Sequence, residues 1–300
     1  MYRKILVGYD DSDQAKDALA LGRQIADATG AELVLAGVSQ FDPVWRDWDP
    51  HFRDADAEFA DELRAAAKAA GAEMEHVPSS SPARGLHDVA ERTHADLIVV
   101  GSSHHGRLGR SLAGGTGMAL LHGAPCAVGI APHGYRDRAG NGIAGVTLGF
   151  DGSEEAGHAL MAASRLARDA KVPLRLISVA VPPPRTVGKG GETGWHALLE
   201  AIEEQARGRI SEARQAVPDG VEVEATLISG DPVEALAGSA DRPGTVMVIG
   251  SRGYGPLRRV LLGSVSTPLV RSASCPVIVT PRGMHEHSPD EAATVVGTAS

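Results

Sequence analysis

Residues 250–264 read GSRGYGPLRRVLLGS, with Gly250, Gly253 and the pair Gly263-Ser264 separated by two and then nine residues. That spacing suits a phosphate cradle. A residue without Cβ takes positive φ freely and lets backbone N–H groups come close to an anion. The apolar run TVMVIG before it reads as a strand, and Gly263-Ser264-Val265-Ser266 reads as the opening of a helix. The unpaired N–H groups of a first helical turn favour phosphate oxygens. Pro268 fits a first turn, where proline is tolerated. Ser264 and Ser266 can cap that helix, donate hydroxyls to phosphate, or both. Arg252, Arg258 and Arg259 bring positive charge, either to a polyphosphate or to a solvated face. Asp151 closes an earlier apolar run and is suited to accept from ribose hydroxyls or an adenine amine. Val179 closes the next run and offers a backbone edge and an apolar wall to a base.

Other chemistries fail on spacing. There is no G-x-x-x-x-G-K-[ST] for a P-loop and no G-x-G-x-x-G after a first strand for a dinucleotide site. The G-x-S-x-G elbow of serine hydrolases is absent as well. His104-His105 are adjacent, and neighbouring side chains do not converge on one ion, so they read as a loop pair rather than a metal site. No general base or water-activating residue stands out, and no catalytic residue is assigned.

The chain repeats itself. At an offset of 141 residues, ILVGYDDSDQAKDAL (5–19) aligns with VTLGFDGSEEAGHAL (146–160). At an offset of 149, Gly101, Ser102, Gly106, Leu108, Arg110, Gly114 and Cys126 align with Gly250, Ser251, Gly255, Leu257, Arg259, Gly263 and Cys275. Both Asp10 and Asp151 stand two residues before a serine, and either pair can instead serve as a helix cap. The copies differ at the cradle: His104 stands where the second copy has Gly253, and Gly115 where it has Ser264.

Each copy alternates short apolar runs with helical stretches. Strands are expected at 3–9, 32–39, 73–77, 96–101 and 125–130, then at 144–150, 173–180, 221–228, 245–250 and 275–280. Continuous apolar runs mark parallel strands buried on both faces. Phe59, Leu63, Ala66 and Ala70 form one apolar stripe, with Gly71 as its C-cap; Leu198, Ile202, Ala206, Ile210, Ala213 and Val217 form another. The fold class is therefore α/β: two repeated, doubly wound parallel sheets of five strands, packed as a pseudo-dimer. Their final strands, VGIAP and VIVTP, are expected to meet antiparallel, because an exposed edge invites pairing. The expected domains are 1–138 and 139–283, with a mobile loop at 181–194 and a disordered tail at 284–300.

Bulk composition agrees with a globular protein: 43% hydrophobic, 22% charged, and 300 residues, enough for two cores. A net charge of −9 argues against nucleic acid and against anionic membrane surfaces as partners. No apolar run is long enough to span a bilayer, and MYRKILVGYD reads as the start of a strand rather than a leader. Cys126 and Cys275, at matching positions, read as reduced core residues, which fits a cytoplasmic location.

These motifs, with DLIVVGSSHHG and VMVIGSRGYGPLRRVLLGSVS followed by CPVIV, resemble the universal stress protein family in its tandem form. The resemblance covers residues 1–282, and the second-half glycine spacing is similar to the ATP-binding subset. It implies that ATP is held by Gly250, Gly253, Gly263, Ser264, Val265, Ser266, Asp151 and Val179; the charge of Arg252 adds that residue to the site, and Mg2+ is expected with the nucleotide. The first-half counterparts are Asp10, Val38, Gly101 and Gly114. It also implies a nucleotide-dependent role in a stress response, with slow hydrolysis at most. The other implied partners are an unidentified regulatory protein and a second copy of the chain, through the fifth strand. Two rival functions are an ATPase or adenylyl-transferring enzyme and a scaffold without nucleotide. The alanine, arginine and glycine content fits a GC-rich bacterium.

The damaged cradle generates a first expectation. A non-glycine residue resists positive φ, so His104→Gly with Gly115→Ser should raise ATP stoichiometry from about one toward two per chain. Titration calorimetry checks it; two equal tight sites in the unaltered protein would refute it.

Overall fold

The computed structural model describes residues 2–40, 50–103, 112–113, 115–138, 140, 142–183, 191–239, 242–251, 260 and 263–281. In the first half the elements are β1 (Lys4–Gly8), α1 (Asp13–Thr29), β2 (Glu32–Gln40), α2 (Pro50–Ala70), β3 (Glu73–Ser79), α3 (Pro82–Thr93), β4 (Leu97–Ser103), β5 (Leu112–Ala113), α4 (Gly115–Leu120) and β6 (Ala127–Ala131). A four-residue helix, α5 (Tyr135–Arg138), connects the halves. The second half holds β7 (Gly145–Gly149), α6 (Glu154–Ala170), β8 (Leu174–Ala180), α7 (Gly191–Ala216), β9 (Val223–Ser229), α8 (Pro232–Ser239), β10 (Thr245–Gly250), α9 (Ser266–Ser272) and β11 (Val277–Thr280).

The central strands are apolar on both faces because helices cover both faces. Every residue of β6 and β11 is buried, as are the first five of β10. Helix boundaries follow local chemistry. Ser12 and Ser153 cap α1 and α6, each accepting the N–H three residues on at 3.1 Å. Asp231 does the same for α8, accepting from Val233 and Glu234. Gly30 ends α1 and Gly71 follows α2, both with positive φ.

Strand order is β3-β2-β1-β4-β6-β11-β10-β7-β8-β9, all parallel within each half. The halves do not keep two separate sheets. β6 and β11 pair antiparallel, with Val277 opposite Ile130, Ile278 opposite Gly129 and Val279 opposite Val128. One continuous sheet results, and the cores on its two faces each draw residues from both halves. Cys126 and Cys275 are buried free thiols, and burial pushes the Cys126 thiol well above its usual range.

Three features differ from the sequence reading. β5 is an extra strand pairing antiparallel with the end of β4. α7 starts at Gly191, inside the stretch expected to be loop, and Trp195 donates to the Pro183 carbonyl at 3.2 Å. The segment between β6 and β7, for which no helix was expected, contains α5, held by the buried Asp17 carboxylate. That group accepts from Gly134 and Arg136 N–H at 2.8 and 2.9 Å, while the Tyr135 hydroxyl donates to Gln24 at 2.6 Å. The proposed tail, 284–300, lies outside the described residues.

Because Ile278 is fully buried where the halves join, Ile278→Ala should cost about 2–4 kcal/mol. The loss should lower one shared unfolding transition in urea. Two separate transitions, with only one moved, would show that the halves unfold independently.

Candidate functional site

In each half the chain order reverses between the first and fourth strands. β1 lies beside β4 and β7 beside β10. The helix after the first strand packs on one face of the sheet and the helix after the fourth on the other. The crevice at the strands' carboxyl ends is where ligands of such sheets sit.

Asp151 follows β7 at that edge and is exposed. Its Oδ1 accepts from Ser153 N–H at 2.9 Å and from Ser153 Oγ at 2.6 Å, and Ser153 Oγ caps α6. Asp10 and Ser12 repeat the relay in the first half at 3.2 and 2.5 Å. The serine is thus the cap and the aspartate braces it. Asp151 Oδ2 has no partner among the described residues, so one acceptor remains available at the crevice.

Packing alone already requires glycine at Gly250 and Gly101. Neither has positive φ; both continue their strands. A Cβ on Gly250 would stand 2.9 Å from the Glu155 carbonyl oxygen, and one on Gly101 would stand 2.1 Å from that of Gln14. These glycines let the first turn of α6 or α1 lie directly on the strand end. That contact positions the Asp-Ser relay beside the fourth strand. The next residues, Ser251 and Ser102, are buried with hydroxyls that have no hydrogen-bond partner among the described residues.

The helix expected to open the cradle starts later than the serines suggested. Val265 is its N-cap, without a side-chain cap, and α9 begins at Ser266. Ser266 Oγ turns back to accept from Gly263 N–H at 2.6 Å, and Thr267 Oγ1 donates to the Gly263 carbonyl at 2.8 Å. Ser264 is exposed and caps nothing. Pro268 lies in the first turn of α9, as expected. Val179 and Val38 are half-buried near the carboxyl ends of β8 and β2. Arg252, Gly253, Arg258 and Arg259 lie outside the described residues, as do His104 and Gly114. Gly115 begins α4 with open space where a Cβ would be. Val260, at the far end of the cradle segment, is fully buried and donates its N–H to the Ala124 carbonyl of the first half at 3.1 Å.

Sequence reasoning missed the first-half cluster of Ser39, Asp56 and His76. Ser39 Oγ lies 2.5 Å from Asp56 Oδ1 and 2.7 Å from His76 Nε2. Asp56 Oδ1 also approaches Nε2, at 3.1 Å. Both partners meet one ring nitrogen, so the group pins α2 to the sheet and is no Ser-His-Asp relay. No cluster of three metal-ligating side chains occurs among the described residues. A groove between α3 and α4, with Arg84, His87, Asp88 and Glu91 at its rim, contains none of the sequence-predicted site residues.

The comparisons with known proteins decide the family. The profile of the universal stress protein family matches residues 1–132 and again 145–281. The chain belongs to the universal stress protein family. It is 28% identical to a universal stress protein of Mycobacterium tuberculosis over 300 residues, covering 92% of this chain and 99% of that one. A universal stress protein of Mycolicibacterium smegmatis is 34% identical over 209 residues, 68% of this chain and 67% of the other. The fold matches a universal stress protein crystal structure from Archaeoglobus fulgidus with a TM-score of 0.67 at 24% identity, covering 93% and 98% of the two chains. Two universal stress domains share a mostly parallel sheet in this chain. No helix among the described residues is long and apolar enough to cross a membrane.

The close helix–strand contact gives a graded expectation. Gly250→Ala should lower stability by about 1–3 kcal/mol, and Gly101→Ala by more, since backbone must move to admit the methyl. Thermal denaturation checks the order. Equal, negligible effects would mean that these glycines serve only a ligand.

Proposed function

We propose that the second half binds ATP, with Mg2+, and that the protein acts as a nucleotide-dependent regulator in a cytoplasmic stress response, hydrolysing ATP slowly at most. The observation that carries this reading is the intact Gly250, Gly253, Gly263-Ser264 spacing, which begins at the end of β10, the strand beside the β7 that Asp151 follows. Asp151 Oδ2 is an open acceptor for the nucleoside, and the orphaned Ser251 hydroxyl is a buried donor at the same edge. An unpaired buried hydroxyl is costly unless something polar reaches it. Ser264, Val265, Ser266 and the guanidinium of Arg252 are assigned to the phosphates. The metal would ride on the phosphate oxygens, since the described residues offer no cluster of their own.

A protein that senses nucleotide level needs binding in the micromolar range, about −8 kcal/mol. The output is a changed surface for an unidentified protein partner or a second copy of the chain. The first half serves mainly as a structural partner. Its own residues, Asp10, Val38, Gly101 and Gly114, take nucleotide weakly or not at all.

Gly263→Leu should abolish ATP binding by filling the space for backbone approach. Titration calorimetry on the intact chain checks this, and an unchanged isotherm would refute the assignment. Nucleotide released on denaturing the purified protein, read by absorbance, provides a second test.

A further inference from the structure

The turns after β1 and β7 have the same backbone shape but present opposite chemistry. Asp11 and Gly152 occupy matching positions, both with left-handed φ, +57° and +83°. In the first half the turn is occupied by its own side chains. Asp11 accepts from the Tyr9 hydroxyl at 2.9 Å and pairs with Lys16 at 3.2 Å, which holds its carboxyl below the usual range. Tyr9 is pushed up to about 12 by burial, then by Asp11, with Asp10 and Glu62 adding to the negative field. Glu62 belongs to α2, immediately before the core residue Leu63.

In the second half the matching helix is α7, and the residue before its core Ile210 is Arg209. Gly152 has no side chain, and Arg209 lies over it. A Cβ there would stand 2.4 Å from Arg209 Cδ and 3.4 Å from its Nε. That Nε is buried without a hydrogen-bond partner among the described residues. No ion pair joins Arg209 to Asp151 among the described residues, although Gly152 is the neighbour of one and the support of the other. A guanidinium donor and a carboxylate acceptor thus flank one glycine, each with unused capacity. A buried N–H of this kind is costly to leave unmade, and a planar fork suits recognition of a planar edge.

Adenine presents such an edge, with an acceptor at a ring nitrogen beside a donor at the exocyclic amine. We propose that Arg209 is a nucleoside-recognising residue of the second half, donating to a ring nitrogen of adenine while Asp151 accepts from the amine. This rests on the ATP reading above and adds a residue to it. Arg209 reaches the crevice from the α6–α7 face of the sheet, whereas the cradle helix α9 packs on the opposite face. Arg209 therefore meets the base and not the triphosphate. Guanine carries an acceptor oxygen where adenine has the amine, so it cannot donate to Asp151, and the Arg209–Asp151 pair supports adenine over guanine.

The test uses the intact chain and titrates ATP, adenosine and GTP against three forms: unaltered, Arg209→Gln and Gly152→Asp. Gly152→Asp keeps the backbone, since Asp11 already adopts that turn, and displaces the guanidinium. It guards against the case in which Arg209→Gln does not fold, which circular dichroism reports. Both variants should weaken ATP and adenosine by the same factor, about tenfold, and narrow the preference for ATP over GTP. Wild-type affinity in either folded variant would overturn the proposal. So would a loss for ATP with adenosine unchanged, which would move Arg209 to the phosphates and leave the ATP reading standing. If the unaltered chain bound no adenine nucleotide, both readings would fall together.

Discussion

The antiparallel pairing of β6 with β11 is the constraint on which the rest of the structure depends. Each half ends in a strand that is buried along its whole length. Left alone, either strand would expose a flat apolar edge, a ready template for another chain. Pairing the two edges removes both at once. It also merges the cores, so that Ile278 packs in one cluster with Val7, Val99, Leu148 and Val248. Since strands are parallel within a half and antiparallel at the join, the carboxyl ends of the two halves point to opposite edges of the sheet. The two candidate mouths therefore cannot merge into one site, and each lies beside the amino-terminal edge of the other half. This is why Val260, leaving the second-half mouth, can reach Ala124 just before β6.

The central strands were legible because burial on both faces leaves a simple signature: runs such as TVMVIG and LIVVG with no charged interruption. Their edges and the join followed from the same property. β5 was not legible, because two residues carry no period and its pairing depends on where the end of β4 turns. The start of α7 was missed because glycine and threonine at 191–194 weigh against helix locally, while packing of the long apolar stripe extends it.

At the candidate site, residue types were visible but the constraints on them were not. Gly250 invites an explanation by ligand approach, yet the nearest obstacle to a side chain is the Glu155 carbonyl. The same glycine can satisfy both demands, and sequence cannot separate them. Asp151 and Ser153 were each identified as cap candidates; only the geometry assigns the cap to the serine and the brace to the aspartate. Arg209 had no signal at all. An arginine beside an apolar stripe on a long helix looks like its solvated face, and what distinguishes this one is a contact with a turn more than fifty residues earlier.

Duplicated halves show which positions are held by volume and which are free to change chemistry. A Cβ on Gly37 would stand 2.8 Å from the Phe59 ring, so the large ring of α2 requires the glycine of β2. The second half has Ser178 and Ala206 at the matching places, a larger residue on the strand against a smaller one on the helix. Such pairs change together because interiors are close-packed and total volume must be kept. The Asp11–Glu62 and Gly152–Arg209 pairs follow another rule. They lie at the mouth, where solvent accommodates shape, and what differs between them is charge and hydrogen-bond sense. The fold tolerates either, so the difference falls on what each mouth can accept. An acid-lined turn that consumes its own donors leaves little for an anionic or base ligand, while a bare glycine covered by Arg209, whose Nε has no partner among the described residues, leaves a donor.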